Sequence, residues 1–253
     1  MNSRQKLSVT IITYNEEKCI RDALESVKWA DEIVVIDSLS TDRTVEICRE
    51  YTERVYQVAW HGYVKQKNIA TEKTSYDWVL NIDADERISE GLAKEIRQVL
   101  AETPQYAGYF MPRKTYYLGA WINHCGWYPD YKLRLFDKRV SKWVGKALHE
   151  KVHVEGPTTY FHHDLYHYTY ENISDHVQTM NNYTSIAAAQ KTGSISGADI
   201  LIRTLFTFFK KYLLKQGFRD GTRGMIVSLL SAFTVALKYS KLWERQQNVT
   251  RKT

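Results

Sequence analysis

Short apolar runs alternate with polar stretches of helical periodicity along the first hundred residues. Runs rich in β-branched residues predict buried strands, and apolar residues at three- and four-residue spacing predict amphipathic helices. The predicted strands are Leu7–Thr13, Glu32–Asp37, Arg54–Val58 and Trp78–Ile82, and the predicted helices are Glu16–Lys28, one ending near Glu53, Val64–Glu72 and Ser89–Ala101. This alternation is typical of a parallel sheet with helices on both faces.

The pattern changes after about residue 106. Shorter strands are predicted at Tyr109–Met111, Lys132–Phe136 and Val152–Val154, and three helices at Asn172–Thr192, Ala198–Gln216 and Thr222–Leu242. The sequence therefore predicts an α/β domain over residues 1–170, with a regular half to residue 100, and a helical appendage over residues 171–253.

Charge is distributed unevenly between these parts. The net charge is +6, yet residues 200–253 hold eleven Lys/Arg and two Asp/Glu. Basic residues there interleave with bulky aliphatic ones, and the longest apolar stretch, residues 225–237, is shorter than the ~20 residues of a membrane span. A basic amphipathic helical pair over residues 200–245 suits an anionic membrane surface, or alternatively a dimer interface or internal packing. No nucleic-acid-binding motif accompanies the charge, so nucleic acid is not an expected partner.

Cysteine usage bears on the compartment. Cys19, Cys48 and Cys125 are odd in number and form no CxxC pair, and no signal-peptide pattern is recognised near residue 1. We therefore expect a reducing, cytoplasmic location, peripheral to the inner face of the cytoplasmic membrane.

Polar residues follow three of the predicted strands at their carboxyl ends. These residues are Thr13-Tyr14-Asn15-Glu16, Asp37 and Asp83-Ala84-Asp85. Ligands of open α/β sheets bind outside such strand ends. The three segments are therefore expected to meet in one crevice.

The stretch VLNIDADE places three carboxylates directly after an apolar strand. Asp83 and Asp85 supply hard oxygen ligands, which suit Mg²⁺ or Mn²⁺ bound together with substrate phosphates. Either aspartate could instead cap the next helix, but Ser89 is better placed for that. The chain has neither GxxxxGK[ST] nor GxGxxG, which disfavours a P-loop enzyme and a dinucleotide dehydrogenase. The stretch Gly193-Ser194-Ile195-Ser196-Gly197 resembles a nucleophile elbow but has Ile195 at its centre, which disfavours a serine hydrolase.

Four ordered motifs, VTIITYNEE, EIVVIDSLSTDRT, KQKNIA and WVLNIDADE, resemble those of family 2 glycosyltransferases with the GT-A fold, across about residues 6–100. The later YPDYKLRLFDKRVSKWVGKALHEKV resembles the lipopolysaccharide inner-core β-1,4-glucosyltransferase branch. The resemblance implies a Rossmann-like, mostly parallel sheet, with a nucleotide-sugar half over residues 1–100 and an acceptor half over 101–170. One departure is Ile12, where many members have proline.

The resemblance also implies roles for the matching residues. Tyr14 and Glu16, with Thr13 beside them, would line the nucleotide pocket, and Asp37 would accept a hydrogen bond from the nucleobase. Lys67 would lie near the diphosphate or the sugar. Asp83, beside Ala84, would contact the ribose or the donor sugar, and Asp85 would hold the metal.

Inverting transfer also needs a base that removes a proton from the acceptor hydroxyl. Glu150 is the preferred candidate, because it lies in the less regular half where an acceptor site would be built. It could instead pair with Lys146 or Lys151 on the surface. Asp130 and Asp137 are the reserve candidates.

Further polar and aromatic residues have two possible roles each. Arg134 could bind a phosphate through its planar fork or bridge to a carboxylate of the fold, and His149 could be a metal ligand or orient the site. His162, His163 and His167 fit no trusted zinc spacing and are expected in the core or the acceptor site. The aromatic residues Trp121, Trp127 and Tyr128 could stack on a sugar or form a packed loop.

The sequence thus predicts a metal-dependent inverting glycosyltransferase. It would move a hexose, glucose from UDP-glucose by the resemblance, to a lipopolysaccharide core or other lipid-linked acceptor. The alternatives are a Mg²⁺-dependent nucleotidyltransferase and a non-catalytic module that binds a sugar nucleotide or a membrane.

Overall fold

A computed structural model describes residues 4–145 and 150–250, with backbone only at 248–250. The chain divides into two compact units. The first comprises Met1–Lys114 and Asp130–His167, and the second comprises Thr115–Pro129 and Tyr168–Thr253. The domain limits expected from the sequence stay a prediction.

The first unit is built on a mixed sheet. Strands are numbered along the whole chain, so the numbering includes β7 (Ala120–Ile122), which lies in the second unit. The strands of the first unit are β1 (Leu7–Thr13), β2 (Glu32–Asp37), β3 (Val55–Gln57), β4 (Trp78–Asp83), β5 (Glu86–Ile88), β6 (Gly108–Tyr117), β8 (Asp130–Asp137), β9 (Ser141–Val144), β10 (Lys151–Val154), β11 (Thr158–Tyr160) and β12 (Leu165–Tyr168). Its helices are α1 (Ile20–Val27), α2 (Thr44–Arg49), α3 (Tyr63–Glu72) and α4 (Glu90–Ala101).

The sheet runs in the order β3-β2-β1-β4-β8-β6-β12-β5. Strands β3, β2, β1 and β4 are mutually parallel. Strand β8 then pairs antiparallel with both β4 and β6. The parallel half is the part that the βαβ pattern predicts, and the antiparallel half follows from the shorter strands.

Apolar side chains alternate between the two faces of the parallel half. Val9 of β1 packs in the main core with α1, α2 and α4. Ile12 of the same strand packs on the other face with Ile36 and Ala70, which lies on α3. Both faces are therefore covered, as the near-continuous apolar strands predict. The expected fold class, α/β of the GT-A kind with a helical C-terminal region, is confirmed.

Several element boundaries differ from the expectation. Helix α1 begins at Ile20, because the carbonyl of Glu16 accepts from Cys19 and Ile20 in a separate turn. Helix α2 ends at Arg49, and its first amide is held by Asp42 rather than by Ser40 or Thr41. The cap expected at Ser89 is present, with its hydroxyl accepting from Leu92 at 3.2 Å. Sequence reasoning missed the short strands β5, β7, β9, β11 and β12.

The second unit is mainly helical. It contains α5 (Ile173–Gln190), α6 (Gly197–Phe209), a π-helical turn (Lys210–Leu214), a 3-10 turn (Gly217–Asp220) and α7 (Gly221–Thr250). Helix α7 packs against both α5 and α6. A buried cluster of Tyr117, Ile122, Cys125 and Val227 joins α7 to the β6–β7 hairpin.

The segment Gly217–Gln247 has the length and apolarity of a membrane-crossing helix, with a mean hydropathy of 1.3 over its best window, of which 28% is buried within the protein. Length and composition are the only basis for this statement. It corrects the expectation that no segment reaches a span, because that expectation counted only the uninterrupted apolar run of residues 225–237.

Candidate functional site

The carboxyl ends of three parallel strands lie side by side at one edge of the first unit. Thr13 of β1 is in register with Asp37 of β2, and Ile12 pairs with Asp83 of β4. Neighbouring strands lie about 4.8 Å apart, so the three polar segments predicted to converge do share one edge.

The loops after β1 and β2 are fastened to each other along this edge. The Asn15 amide donates to Ser40 Oγ at 2.8 Å, and the Thr41 amide donates to Asn15 Oδ1 at 2.8 Å. Next to them, the Glu16 amide donates to Thr44 Oγ1 at 2.7 Å. Asn15 has φ 54°, a left-handed conformation that asparagine tolerates better than most residues. The predicted nucleotide-binding segment is thus a structured rim.

The nucleotide-side residues differ in accessibility along this rim. Tyr14 is 58% exposed, whereas Thr13 is buried and its hydroxyl has no hydrogen-bond partner among the described residues. Asp37 is fully buried and accepts from the Ser40 amide at 2.9 Å and from the Ser40 hydroxyl. A nucleobase could reach the Asp37 carboxylate only if Ser40 moved.

Two of the three carboxylates of VLNIDADE, Asp83 and Glu86, are compensated by protein cations. Arg134 Nη2 lies 2.5 Å from Asp83 Oδ2 and 2.6 Å from Glu86 Oε1. Arg113 Nη1 lies 3.3 Å from the same Glu86 oxygen. Glu86 has no exposed side-chain surface, so these ion pairs are what make its burial tolerable. Of the two alternatives for Arg134, the structure shows the bridge to carboxylates, with Asn81 Oδ1 as a third acceptor at 3.1 Å.

Lys67 contacts both the segment Asp83-Ala84-Asp85-Glu86, here called the acidic turn, and the candidate base Glu150. Its Nζ lies 2.9 Å from Asp83 Oδ1 and 3.6 Å from Glu150 Oε1, and 4.6 Å from the centre of the Trp143 ring. The Lys67 side chain is 2% exposed, whereas that of Glu150 is 21% exposed. Glu150 therefore contacts Lys67, while the surface partners considered from the sequence were Lys146, which lies outside the described residues, and Lys151.

The charges of this cluster reinforce each other. Burial alone would raise the pKa of Asp83, but Arg134 and Lys67 outweigh it and hold that pKa far below its usual range. Burial would likewise lower the pKa of Arg134, but Asp83 and Glu86 raise it. Asp83, Glu86, Lys67 and Arg134 therefore favour one another's charged forms.

Asp85 has a partner that the sequence analysis did not assign to it. His167 Nε2 of β12 lies 3.2 Å from Asp85 Oδ2, and the two side chains are 12% and 30% exposed. A carboxylate oxygen suits Mg²⁺ or Mn²⁺, and an imidazole nitrogen suits a transition-metal ion such as Mn²⁺ better than Mg²⁺. Asp83 fits a metal less well, because each of its oxygens already contacts a cation.

The described residues contain no group of three or more His, Cys, Asp or Glu side chains able to hold a metal. Asp85 and His167 fit an ion that takes its remaining ligands from a diphosphate and water. His149, the other predicted ligand, lies outside the described residues.

The reserve bases occupy other surroundings. Asp130 contacts Arg113 at 2.7 Å and Lys132 at 3.1 Å, and these cations lower its pKa although burial opposes them. Asp137 pairs with Trp78 at the start of β4, the end of that strand opposite to Asp83. Glu150 is thus the candidate that shares a cation with Asp83, through Lys67, whereas Asp130 shares Arg113 with Glu86.

Four further contacts involve residues that the sequence analysis singled out. Ala84 packs its methyl group into the main core, so only its backbone can meet a ligand. His163 of the first unit pairs with Glu95 at 3.2 Å. In the second unit Trp121 packs edge-on against Tyr116, and Trp127 lies against Tyr117.

A shallow depression of about 320 Å³ lies beside Glu32, at the start of β2. This is the end of the parallel strands opposite to the acidic turn. The chemistry and this depression are therefore at different ends of the strands, and the acidic turn is the candidate site.

Sequence reasoning missed Glu86, Arg113 and His167 as members of this site. Glu86 is the last residue of VLNIDADE, and the only feature of the local sequence that could have indicated its role is that it is a carboxylate next to Asp85. Arg113 and His167 come from β6 and β12, so their approach depends on the antiparallel half of the sheet.

Comparison with known proteins identifies the family of this chain. The family model described as glycosyl transferase family 2 matches residues 8–153. An uncharacterized glycosyltransferase of Rickettsia typhi is 32% identical over 262 aligned residues, which cover 95% of this chain and 87% of that protein. The lipopolysaccharide core biosynthesis glycosyltransferase LpsC of Rhizobium meliloti is 28% identical, covering 94% of this chain and 92% of that protein.

Among solved structures, S. aureus TarS 1–349 in complex with UDP-GlcNAc aligns with a TM-score of 0.47 and 14% identity, over 96% of this chain and 92% of that one. The sequence matches span the candidate site from β1 to β10. The chain belongs to glycosyltransferase family 2.

Proposed function

We propose that this chain transfers a hexose from a UDP-sugar, with inversion, to a lipopolysaccharide core or other lipid-linked acceptor, with a divalent cation. The observation that carries the proposal is the pair of contacts at the acidic turn, Asp85 with His167 and Asp83 with Lys67. Both lie at the strand ends where ligands of such sheets bind. UDP-glucose as donor follows from the sequence resemblance, and a core acceptor from the similarity to LpsC.

Asp85 and His167 would hold the cation. When bound, the cation offsets negative charge that develops on the leaving diphosphate. The rim formed by the loops after β1 and β2, with Tyr14 exposed on it, would receive the nucleoside. Asp37 would then act on the nucleobase either through Ser40 or after Ser40 has moved.

Glu150 would be the base. The acceptor oxygen forms a bond to the anomeric carbon, the bond from that carbon to the diphosphate oxygen breaks, and the hydroxyl proton moves to a Glu150 oxygen. Lys67 would position this carboxylate relative to Asp83, because it contacts both. Asp130 is less suited, since its lowered pKa makes it a weaker base.

Such a reaction would take place at the inner face of the cytoplasmic membrane, where a lipid-linked acceptor is presented. Neither the nucleotidyltransferase nor the non-catalytic alternative gains support from a specific contact of the site.

The first test is calorimetric titration with UDP, UDP-glucose, UDP-galactose and GDP-mannose, in Mn²⁺ and in EDTA. We expect metal-dependent binding of one UDP-sugar, lost in Asp85→Asn. Asp77→Asn is the matched control, because Asp77 immediately precedes β4 at the end away from the site and is 47% exposed. Absence of nucleotide-sugar binding in either condition would overturn the proposal.

The base is tested separately once a donor is known. Glu150→Gln should bind that donor normally and lose about 10²- to 10⁴-fold in kcat, as expected for removal of a general base. A kcat that is unchanged in Glu150→Gln would assign the base elsewhere, with Asp130→Asn as the next variant.

A further inference from the structure

Helix α6 and the π-helical turn after it carry large apolar side chains on their exposed side. The exposed fractions are 60% for Leu201, 65% for Ile202, 49% for Leu205, 60% for Phe206, 52% for Phe209, 51% for Leu213 and 73% for Leu214. Leu201, Leu205, Phe209 and Leu213 recur at four-residue spacing. Ile202, Phe206 and Leu214 lie in the adjacent row, in which Lys210 stands between the last two. These apolar residues form one face, here called the α6 apolar face. The opposite side is formed by Thr204, Phe208 and Tyr212, which are partly buried.

This arrangement reverses the usual orientation of an amphipathic helix. At helical spacing, Leu201, Leu205, Phe208 and Tyr212 fall on one apolar stripe of the sequence. In the structure Phe208 and Tyr212 stack on each other at 5.5 Å between ring centres, whereas Leu201 and Leu205 are exposed. An apolar surface of this extent on a folded protein marks a place of interaction.

The surroundings of the α6 apolar face are basic. Residues 200–223 contain six Lys/Arg and one acidic residue, Asp220. The Asp220 carboxylate pairs with His124, whose Nδ1 lies 2.8 Å from Asp220 Oδ1. Lys210 and Lys215 are exposed within the same segment as the apolar residues, and Arg219 follows in the next turn.

We propose that the α6 apolar face is a membrane-docking surface that lies in the headgroup region of an anionic bilayer. The apolar rows would enter the boundary between headgroups and acyl chains, and the neighbouring lysines and arginines would contact lipid phosphates. A second copy of this chain complements the face less well. In a two-fold symmetric contact the basic residues of one copy would meet those of the other.

Helix α7 supports docking on the surface rather than crossing. It exposes Met225, Leu229 and Phe233 at four-residue spacing, while Val227 and Leu242 are buried in the unit. Lys241 donates to the carbonyl of Asn181 in α5 at 2.7 Å. A helix fixed to its own unit along one side, with a lysine in that contact, is not free to be surrounded by lipid.

The apolar contribution is tested with the full-length protein and sedimentation of vesicles, either pure phosphatidylcholine or phosphatidylcholine with 30% phosphatidylglycerol (roughly the anionic content of a membrane surface). We expect binding to the anionic vesicles, weakened about tenfold or more in Phe206→Ser/Phe209→Ser. The matched control is Tyr183→Ser/Ile186→Ser on α5, which removes two exposed apolar side chains outside the face and should bind like the wild type. Circular dichroism verifies that both variants are folded.

The charge contribution is tested with Lys210→Glu/Lys215→Glu, which should lose about tenfold or more in affinity for the anionic vesicles. Lys18→Glu/Lys94→Glu, at exposed positions of the first unit, is the control. The proposal would be overturned if the wild type did not bind vesicles, or if the Phe206→Ser/Phe209→Ser variant bound them as well as the wild type does. It would also be overturned if the wild type were a dimer in sedimentation velocity and Phe206→Ser/Phe209→Ser abolished the dimer.

Resistance of the bound protein to extraction at high pH would also overturn it, in favour of a spanning α7. Vesicle binding is measured without donor or acceptor. Absence of vesicle binding would therefore not contradict the proposed glycosyl transfer. Absence of glycosyl transfer would likewise not contradict membrane docking.

Discussion

The two units of this protein use apolar and polar residues in opposite ways. In the first unit Leu80 is fully buried in the main core against the sheet, and ionic side chains cluster at the strand ends. In the second unit Leu214 is 73% exposed, while Tyr117 and His176 form a buried hydrogen-bonded pair. Apolar residues thus stabilise the first fold, and in the second a large share of them is available for a partner.

The largest expected effect breaks the ionic cluster of the first unit. Arg134→Met removes the cation shared by Asp83 and Glu86 and leaves buried charge partly uncompensated. We expect the free energy of unfolding to fall by about 3–5 kcal/mol, measured by urea denaturation. Arg43→Met, which removes an exposed ion pair with Glu46, is the control and should leave the urea midpoint unchanged. Equal midpoints for the two variants would show that the cluster contributes nothing to stability.

The next comparison applies one chemical change to both units. Leu80→Ala creates a cavity in the sheet core and should lower the free energy of unfolding by about 2–5 kcal/mol. Leu214→Ala removes the same atoms from an exposed site and should change it by less than about 0.5 kcal/mol. Urea denaturation of both variants is the measurement. A large loss in Leu214→Ala would mean that its side chain is packed in the free protein.

The smallest expected effect concerns the buried pair of the second unit. Burial lowers the pKa of His176, whose Nδ1 lies 2.9 Å from the Tyr117 hydroxyl. A histidine with a lowered folded-state pKa contributes stability above its ordinary value of 6.5, and this stability is lost as the pH falls below it. Tyr117→Phe should cost about 0.5–1.5 kcal/mol at pH 8, where the imidazole is neutral.

The readout is the thermal midpoint of wild type and His176→Gln between pH 8 and pH 5. The wild type should lose stability across this range by more than the variant does. Parallel curves would show that His176 is not held in its neutral form by the fold.

The sequence was sufficient for the parallel half of the sheet and for the convergence of three polar strand ends at one edge. Each strand from Leu7 to Asp83 is a local apolar run, and its polar end is visible in the same segment. The pairing of Arg134 with Glu86 and of His167 with Asp85 was not predictable, because both depend on antiparallel strands far along the chain. Helical periodicity identified an apolar face on α6 but not which side is exposed, since that depends on the packing of α7.

The hydrogen bonds that join the loops after β1 and β2 have a consequence for binding entropy. Because Asn15, Ser40 and Thr41 hold one another through side-chain and backbone groups, the rim is ordered before any ligand arrives. A nucleotide that binds there would not have to immobilise two separate loops, and more of its contact energy would remain as affinity. For a nucleotide that binds there, the same order would make the rim a rigid template whose shape discriminates among nucleotides.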